Sequence, residues 1–533
     1  MKIAVIGSGV AGLSTIQALV DRNIVPSVID VGETLSPERS IIVEKLRNLH
    51  RSEWSTEDYD VIRQNPTVER SLIPKKIHFG SDYIYANDRF FAPIESRVSG
   101  RAPFPTFSFG GFSNIWGGAV LPVRPCDMED WPIAPSALEP FFKKVADSLP
   151  ITGGEGTLNE AFPLFKNKAG SLDPGPQGHL LLSDLDRVKN PLRDRQILFG
   201  RARLAVYTSS TNLQGIFPCN ECGECFVGCV YGSIFSTTPI LESLVRRNKI
   251  KYQRNLVVKS IHEEEKKATL KILDLTSGTF QTQAFDAVFL AAGPINSTRI
   301  LLKSKKIYER PVNLKESQKF VIPMLRKKGA PTTIEHPSAT LASIFMEFKV
   351  SDLSDHWVHM QVVPMNRMIL DSLKLPAIET KFGNALWRPI LRRMMAGWVG
   401  LHSDHSSHVD LRLKQGTDSE TDLLELDFSV SDRAKRSVSK AANHLFLSGL
   451  TFDTLFIPWL TRLSNPGSGT HCGGSFPMKA TPSGEFDSDI LGRPFGWKRV
   501  FVTDSTVLPS IPGTTLAISV MANAYRIATE APL

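Results

Sequence analysis

Ile3-Ala4-Val5-Ile6 runs directly into Gly7-Ser8-Gly9-Val10-Ala11-Gly12, and no other feature restricts the folds open to this chain so strongly. The apolar run has the length of a buried strand. Leu13, Ile16, Leu19 and Val20 then recur at helical spacing, and a second strand at Ser27–Ile29 leads to Asp30. Strand, glycine turn, helix and strand make the βαβ unit that binds dinucleotides. In it Gly7 permits the turn, Gly9 lets backbone approach a pyrophosphate, and Gly12 lets helix and strand pack closely. The pyrophosphate belongs on the helix N-terminus, and Asp30 accepts from ribose hydroxyls. The motif does not separate FAD from NAD.

Residues 34–100 lack clear periodicity and are expected as long excursions over the cofactor domain. The segment Phe107–Gly118 (FSFGGFSNIWGG) sets glycines beside aromatics, so its backbone either passes close to a flat or charged group or forms a buried turn. A helix is expected at Leu138–Val145, opened by Pro135 or Ser136, and residues 150–200 read as loop-rich. Residues 240–305 return to α/β texture: a helix at Ile240–Arg247, then strands at Tyr252–Ile261, Ala268–Leu273 and Ala287–Leu290, the last followed by Ala291-Ala292-Gly293. Such a strand-end turn commonly lies against the dinucleotide. Alternating segments at Ala342–Lys349, Val358–Val363, Val409–Leu413 and Leu423–Phe428 predict an antiparallel sheet. The chain ends in α/β, with a strand at Val500–Thr503 and a helix over Leu516–Thr529.

Cys219-x2-Cys222-x2-Cys225-x3-Cys229 is the most specific spacing present. Thiolates so spaced can wrap an iron–sulfur cluster (4Fe-4S or 3Fe-4S) from one loop, as in bacterial ferredoxins, although Val230 stands where those continue with proline. Zinc suits four thiolates as well, and free thiols or a local disulfide are the bland alternative. His471 sits in a glycine-rich turn, Pro466–Met478, where it can be aimed freely, and imidazole is well suited to take a proton from an alcohol near neutral pH. His402, His405 and His408 stand at i, i+3 and i+6, but the intervening Ser and Asp residues predict a turn before a strand rather than a metal site. Phe382–Gly400 mixes Arg388, Arg392 and Arg393 with Trp387, Met394, Met395 and Trp398. That suits core packing, or else an interfacial helix or substrate mouth in peripheral contact with a membrane surface.

With 533 residues, 42% hydrophobic and 22% charged, the chain can bury a large core, and disorder as the main state is excluded. The 62 Lys and Arg against 54 Asp and Glu leave a charge of +8 that no single element concentrates, so nucleic acid is not an expected partner. No run of 18 uncharged apolar residues exists to cross a membrane. No export signal leads the chain, and four of its six cysteines fall within eleven residues, which implies metal or redox chemistry in the cytoplasm.

GSGVAG, FGGFSNIWGG, the DWPI run at 130–133, LAAGPINSTRILL and the C-terminal block, in this order, resemble the glucose–methanol–choline (GMC) oxidoreductase family. The resemblance spans the cofactor domain and is weak over 316–464. It implies an α/β (α+β overall) fold: a discontinuous Rossmann-like FAD-binding domain at 1–130, 201–315 and 465–533, an insertion at 131–200, and an antiparallel-sheet substrate domain at 316–464. It implies FAD rather than NAD, and oxidation of an alcohol by hydride transfer to the flavin. Gly7, Gly9, Gly12 and Asp30 match the family's ADP-binding unit. Gly110, Gly111, Ser113, Asn114 and Gly117 match its flavin loop, Val257 its adenine-side contact, and Asp504 its strand-end carboxylate, while Ala292 and Gly293 lie in the second dinucleotide turn. His471 matches the catalytic base. Thr515 stands where the family places Asn or a second His, so it would orient the hydroxyl without sharing the base's task. The cysteine loop resembles a bacterial subgroup acting on sugars or polyols and passing electrons through an iron–sulfur cluster to an acceptor protein. Two alternatives stand beside this: an oxidase using O2, with zinc or free thiols in the loop, and an electron-transfer subunit without its own alcohol substrate.

Overall fold

The computed structural model describes residues 1–64, 76–85, 95–96, 105–154, 156–166, 170–376, 378, 380–416, 422–428, 430–467 and 470–533. Its organising element is a parallel sheet in the order Val500–Val502, Ala287–Leu290, Ile3–Ile6, Ser27–Ile29, Lys251–Gln253. Ile3–Ile6 and Ala287–Leu290 are buried throughout, as befits strands covered on both faces, and this is why they read as unbroken apolar runs. The helices Val10–Asp21 and Ala517–Glu530 pack together beside the sheet, so the two ends of the chain close one core.

The second layer is a seven-stranded antiparallel sheet. Its main path runs Thr454–Phe456, Lys319–Arg326, Met394–Gly400, Trp357–Pro364, Ile344–Lys349, Ile197–Arg201, and Arg462–Leu463 also pairs with Lys319–Arg326. One face carries Phe320, Ile322, Met346, Met360 and Val399 into an apolar core. The other face carries Lys319, His359 and Glu347.

The structure corrects the sequence reading at several places. Within 34–100, helices form at Pro37–Arg47 and Thr56–Arg63, each capped by a serine, Ser36 or Ser55, that accepts from the backbone three residues on. Only Val43 and Leu46 in the first and Ile62 in the second are buried, too few to raise a periodic signal. The rest of that stretch, 65–75, 86–94 and 97–100, lies outside the described residues. Residues 150–200 hold the helices Gly175–Arg187 and Lys189–Asp194, and their last strand, Ile197–Arg201, joins the large sheet, so the insertion reading of 131–200 does not follow the packing. The strand expected at Tyr252–Ile261 breaks at Asn255, whose φ is +62°. His408–Lys414 and Leu423–Phe428 lie within 316–464, yet the first pairs with Pro311–Glu316 and the second with the first, in a separate sheet that shares the core of the parallel one. Phe382–Gly400 divides into the helix Lys381–Leu391, with Pro389 in its last turn, and the interior strand Met394–Gly400. Its arginines also have partners, since Arg388 and Arg392 pair with Glu335.

Candidate active site

The glycine turn is built as its sequence demands. Gly7 has φ +98°, and a Cβ there would collide with Ala291 O; a Cβ on Gly12 would collide with Gly7 O. Gly9 differs, since a Cβ on it would meet no protein atom within 4 Å although its loop is half-buried, and the same holds at Gly293. Ser8 Oγ donates to Asp30 and accepts from Gly110 N at 2.9 Å, tying the first turn to the second glycine loop. Asp30 also accepts from Tyr252 OH at 3.0 Å, and burial pushes its carboxyl up to about 6. Ser113 donates to Gly110 O at 2.6 Å and Asn114 Nδ2 to Phe109 O at 2.8 Å, so both brace the loop they stand in. Gly117 is open and Gly111 abuts Gly9. Val257 packs with Val31 and Phe107 beside Asp30. Asp504 accepts from Gly293 N at 2.9 Å and from Ser297 Oγ at 2.5 Å, at the start of the helix Pro294–Ser304 next to Ala292.

The chain passes from this cradle to His471 through a short series of contacts. Ser505, next to Asp504, donates its hydroxyl to Cys472 O at 2.6 Å, and His471 O accepts from Ser317 N at 2.9 Å. His471 Nδ1 is buried without a hydrogen-bond partner. Burial, with Lys319 and His359 nearby, holds the imidazole well below its ordinary range, so it is neutral at pH 7. Ser468 and Gly469 of its turn lie outside the described residues.

Thr515 has a different task from the one expected of it. Its hydroxyl donates to Leu121 O at 3.0 Å and accepts from Leu121 N at 2.6 Å, so its one proton is spent on backbone and none remains to orient a substrate.

Asp127, His356 and His402 bring three ligand-type atoms within 4.8 Å of one another. The two imidazoles, however, are stacked 3.6 Å apart and nearly parallel, at 11°. Imidazole lone pairs lie in the ring plane, so both rings cannot point at one ion about 2 Å away. His356 instead bonds Asp127 through Nδ1 at 3.2 Å and contacts Asp404 through Nε2 at 3.4 Å, and these two partners raise its pKa to about 9. Sequence reasoning missed this clamp because His356 lay outside the histidine triplet. His405, also buried, contacts Ser354.

Cys219, Cys222, Cys225 and Cys229 are free of disulfides and line a small apolar cavity of about 20 Å³ walled by Val206 and Leu341. Among the described residues, no three of these sulfurs lie within 4.8 Å of one another. A tetrahedral zinc ion needs sulfurs about 3.8 Å apart, whereas a polynuclear cluster holds them wider. Burial pushes the Cys219 thiol up to about 12 and Cys222 well above its ordinary range, so four thiolates here require a cationic centre between them. Lys76 faces Cys225 and Cys229, and its Nζ donates to Trp116 O at 3.0 Å, joining the cysteine loop to the second glycine loop.

No family model and no curated protein sequence matches the chain. Solved structures do. Pyridoxine 4-oxidase from Mesorbium loti superposes with a TM-score of 0.54 at 13% identity, over 99% of this chain and 98% of its own. An FAD-dependent oxidoreductase from Chaetomium thermophilum superposes with a TM-score of 0.58 at 12% identity, over the same shares of the two chains. The chain shares its fold with FAD-dependent oxidoreductases. This is the α/β fold with an added antiparallel sheet that the GMC resemblance implies. Identities this low establish the fold, and the chemistry rests on the residues. No helix among the described residues is long and apolar enough to cross a membrane.

Proposed function

We propose that the chain is an FAD-dependent oxidoreductase that oxidises the CH–OH group of an alcohol and passes the electrons on through a cysteine-held iron–sulfur cluster. The observation that carries the reading is the line from Gly9 and Gly293, open on their Cα faces, through Asp504 to the buried and unpartnered Nδ1 of His471. A dinucleotide pyrophosphate fits at Gly9, where the N-terminus of the helix Val10–Asp21 has no capping side chain. A hydroxyl fits at His471. When bound, FAD supplies the hydride acceptor. His471, neutral at pH 7, is placed to receive the hydroxyl proton.

The sulfur spacing, wider than one zinc ion takes, supports a cluster over zinc, and with it a protein acceptor over O2. The oxidase alternative keeps one specific support, the name of the Mesorbium loti neighbour. Anaerobic purification followed by iron, sulfide and flavin assay tests the reading. It expects one FAD together with iron and sulfide, bleaching of the flavin by an alcohol, and no hydrogen peroxide. His471→Ala should keep the FAD and slow bleaching by about 100-fold or more. FAD without iron, and with peroxide, would replace the cluster route with oxidase chemistry.

A further inference from the structure

We propose that His359, oriented by Glu347, is a second proton acceptor for the substrate hydroxyl, in the role that the side chain at 515 does not fill. The inference rests on the oxidoreductase reading above and adds a residue to it.

Its basis is the register of the large sheet. Lys319 pairs with Gly400, Gly400 with His359, and His359 with Glu347, so four strands contribute to one transverse row. Directly paired residues project from the same face of a sheet. The apolar core occupies the opposite face, through Phe320, Val399, Met360 and Met346. A buried row of Lys, Gly, His and Glu therefore faces away from that core. Gly400 is the gap in it: a Cβ there would collide with Gly513 O and Lys319 Nζ. The C-terminal turn thus descends directly onto the row at Gly513, two residues before Thr515. His471 reaches the same place, held through Ser317, two residues before Lys319, with Lys319 and His359 among the groups that act on its charge.

Within the row His359 and Glu347 form a dyad. His359 Nδ1 lies 2.5 Å from Glu347 Oε1, and both side chains are essentially inaccessible. A carboxylate accepts, so Nδ1 carries the hydrogen, and in the neutral ring Nε2 is the nitrogen that keeps a lone pair. That Nε2 is buried and has no hydrogen-bond partner among the described residues. Leaving such an atom unpaired is costly, and the cost is recovered where a ligand supplies the donor. A carboxylate that fixes the tautomer of a histidine, leaving the far nitrogen to take a hydroxyl proton, is the arrangement of the Ser-His-Asp triad. The other groups around the dyad are Arg124, 4.0 Å from Glu347 Oε2, the edge of the Phe345 ring, Lys319 across Gly400, and His471.

The step balances. The hydroxyl proton goes to Nε2, the carbon-bound hydrogen leaves with its electron pair to bound FAD, and the carbon–oxygen bond becomes double. The test is anaerobic stopped-flow bleaching of the holoenzyme flavin by benzyl alcohol, pyridoxine, D-glucose and myo-inositol, across pH 5–10. His359→Asn should keep bound FAD and slow bleaching by about 100-fold or more, and added imidazole should restore part of the rate to His359→Ala. Glu347→Gln, which leaves the histidine in place, should slow bleaching by about tenfold and move the pH profile. Bleaching of His359→Asn within about threefold of wild type, with the same profile, overturns the inference while leaving His471 and the oxidoreductase reading intact. A wild-type holoenzyme that none of the four alcohols bleaches overturns that reading, and this inference with it.

Discussion

The His356 clamp allows a stability change to be worked out from the structure. His356 bonds Asp127 through Nδ1 and contacts Asp404 through Nε2; both interactions require a proton on nitrogen, so the clamped form is the imidazolium. Those partners raise its pKa from 6.5 to about 9. A shift of that size corresponds to about 3 kcal/mol. The side chain keeps 18% of its surface exposed, and solvent screening reduces the figure to about 2 kcal/mol. Because the folded pKa is raised, the contribution is fully present below pH 6.5 and is lost as pH rises through 9. His356→Gln removes the charge. The difference in unfolding free energy between wild type and His356→Gln, from urea titrations, should therefore be larger at pH 6 than at pH 10 by about 2 kcal/mol. Loss of packing against His402 adds the same offset at both pH values and cancels from the comparison. A difference that stays constant to within about 0.5 kcal/mol would refute the imidazolium clamp. The clamp joins the turn Pro125–Met128 to the residue preceding Trp357–Pro364, and Ser403, beside Asp404, bonds Ile511. The same strand carries His359.

Two further expectations follow from local geometry. Gly12→Ala places a methyl group against Gly7 O and should prevent stable folding, whereas Gly9→Ala meets no protein atom, so it should fold normally and bind FAD at least about tenfold more weakly; equal FAD affinity by ultrafiltration in Gly9→Ala would separate this loop from cofactor binding. Thr515→Val leaves the buried N–H and C=O of Leu121 unpartnered and should destabilise the chain by about 2 kcal/mol with the KM of any bleaching alcohol unchanged; a raised KM at unchanged stability would return Thr515 to the substrate.

What could be read from sequence was what short range determines. The strand at Ile3–Ile6, the helix after it and the turn at Gly293 carry their own grammar of apolar runs and glycines, and each lies where that grammar puts it. The helices at Pro37–Arg47 and Thr56–Arg63 were hidden because their caps are ordinary serines and their buried faces are nearly empty. The spacing of the four cysteines was legible, but the choice between zinc and a cluster depends on how widely the fold holds the sulfurs, which spacing does not encode.

The proton-handling residues show the limit most clearly. His359 stands in WVHMQVVP, where alternation marks a strand and nothing marks the histidine as different from any buried polar side chain. Its significance comes from three other strands: Glu347 hydrogen-bonds its ring, and the missing side chain of Gly400 lets Gly513 and the Lys319 ammonium come down beside it. Those partners lie 12, 41 and 40 positions away in sequence, as 359 − 347, 400 − 359 and 359 − 319. Thr515 is the converse case, since a motif position pointed to substrate while its hydroxyl was committed to Leu121, 394 residues earlier. A sheet register converts distant, unremarkable residues into one polar row, and a backbone contact takes up the one proton of a motif hydroxyl. Gly400 is where the two effects meet: its missing side chain admits the turn that ends at Thr515 and leaves the row of His359 facing it.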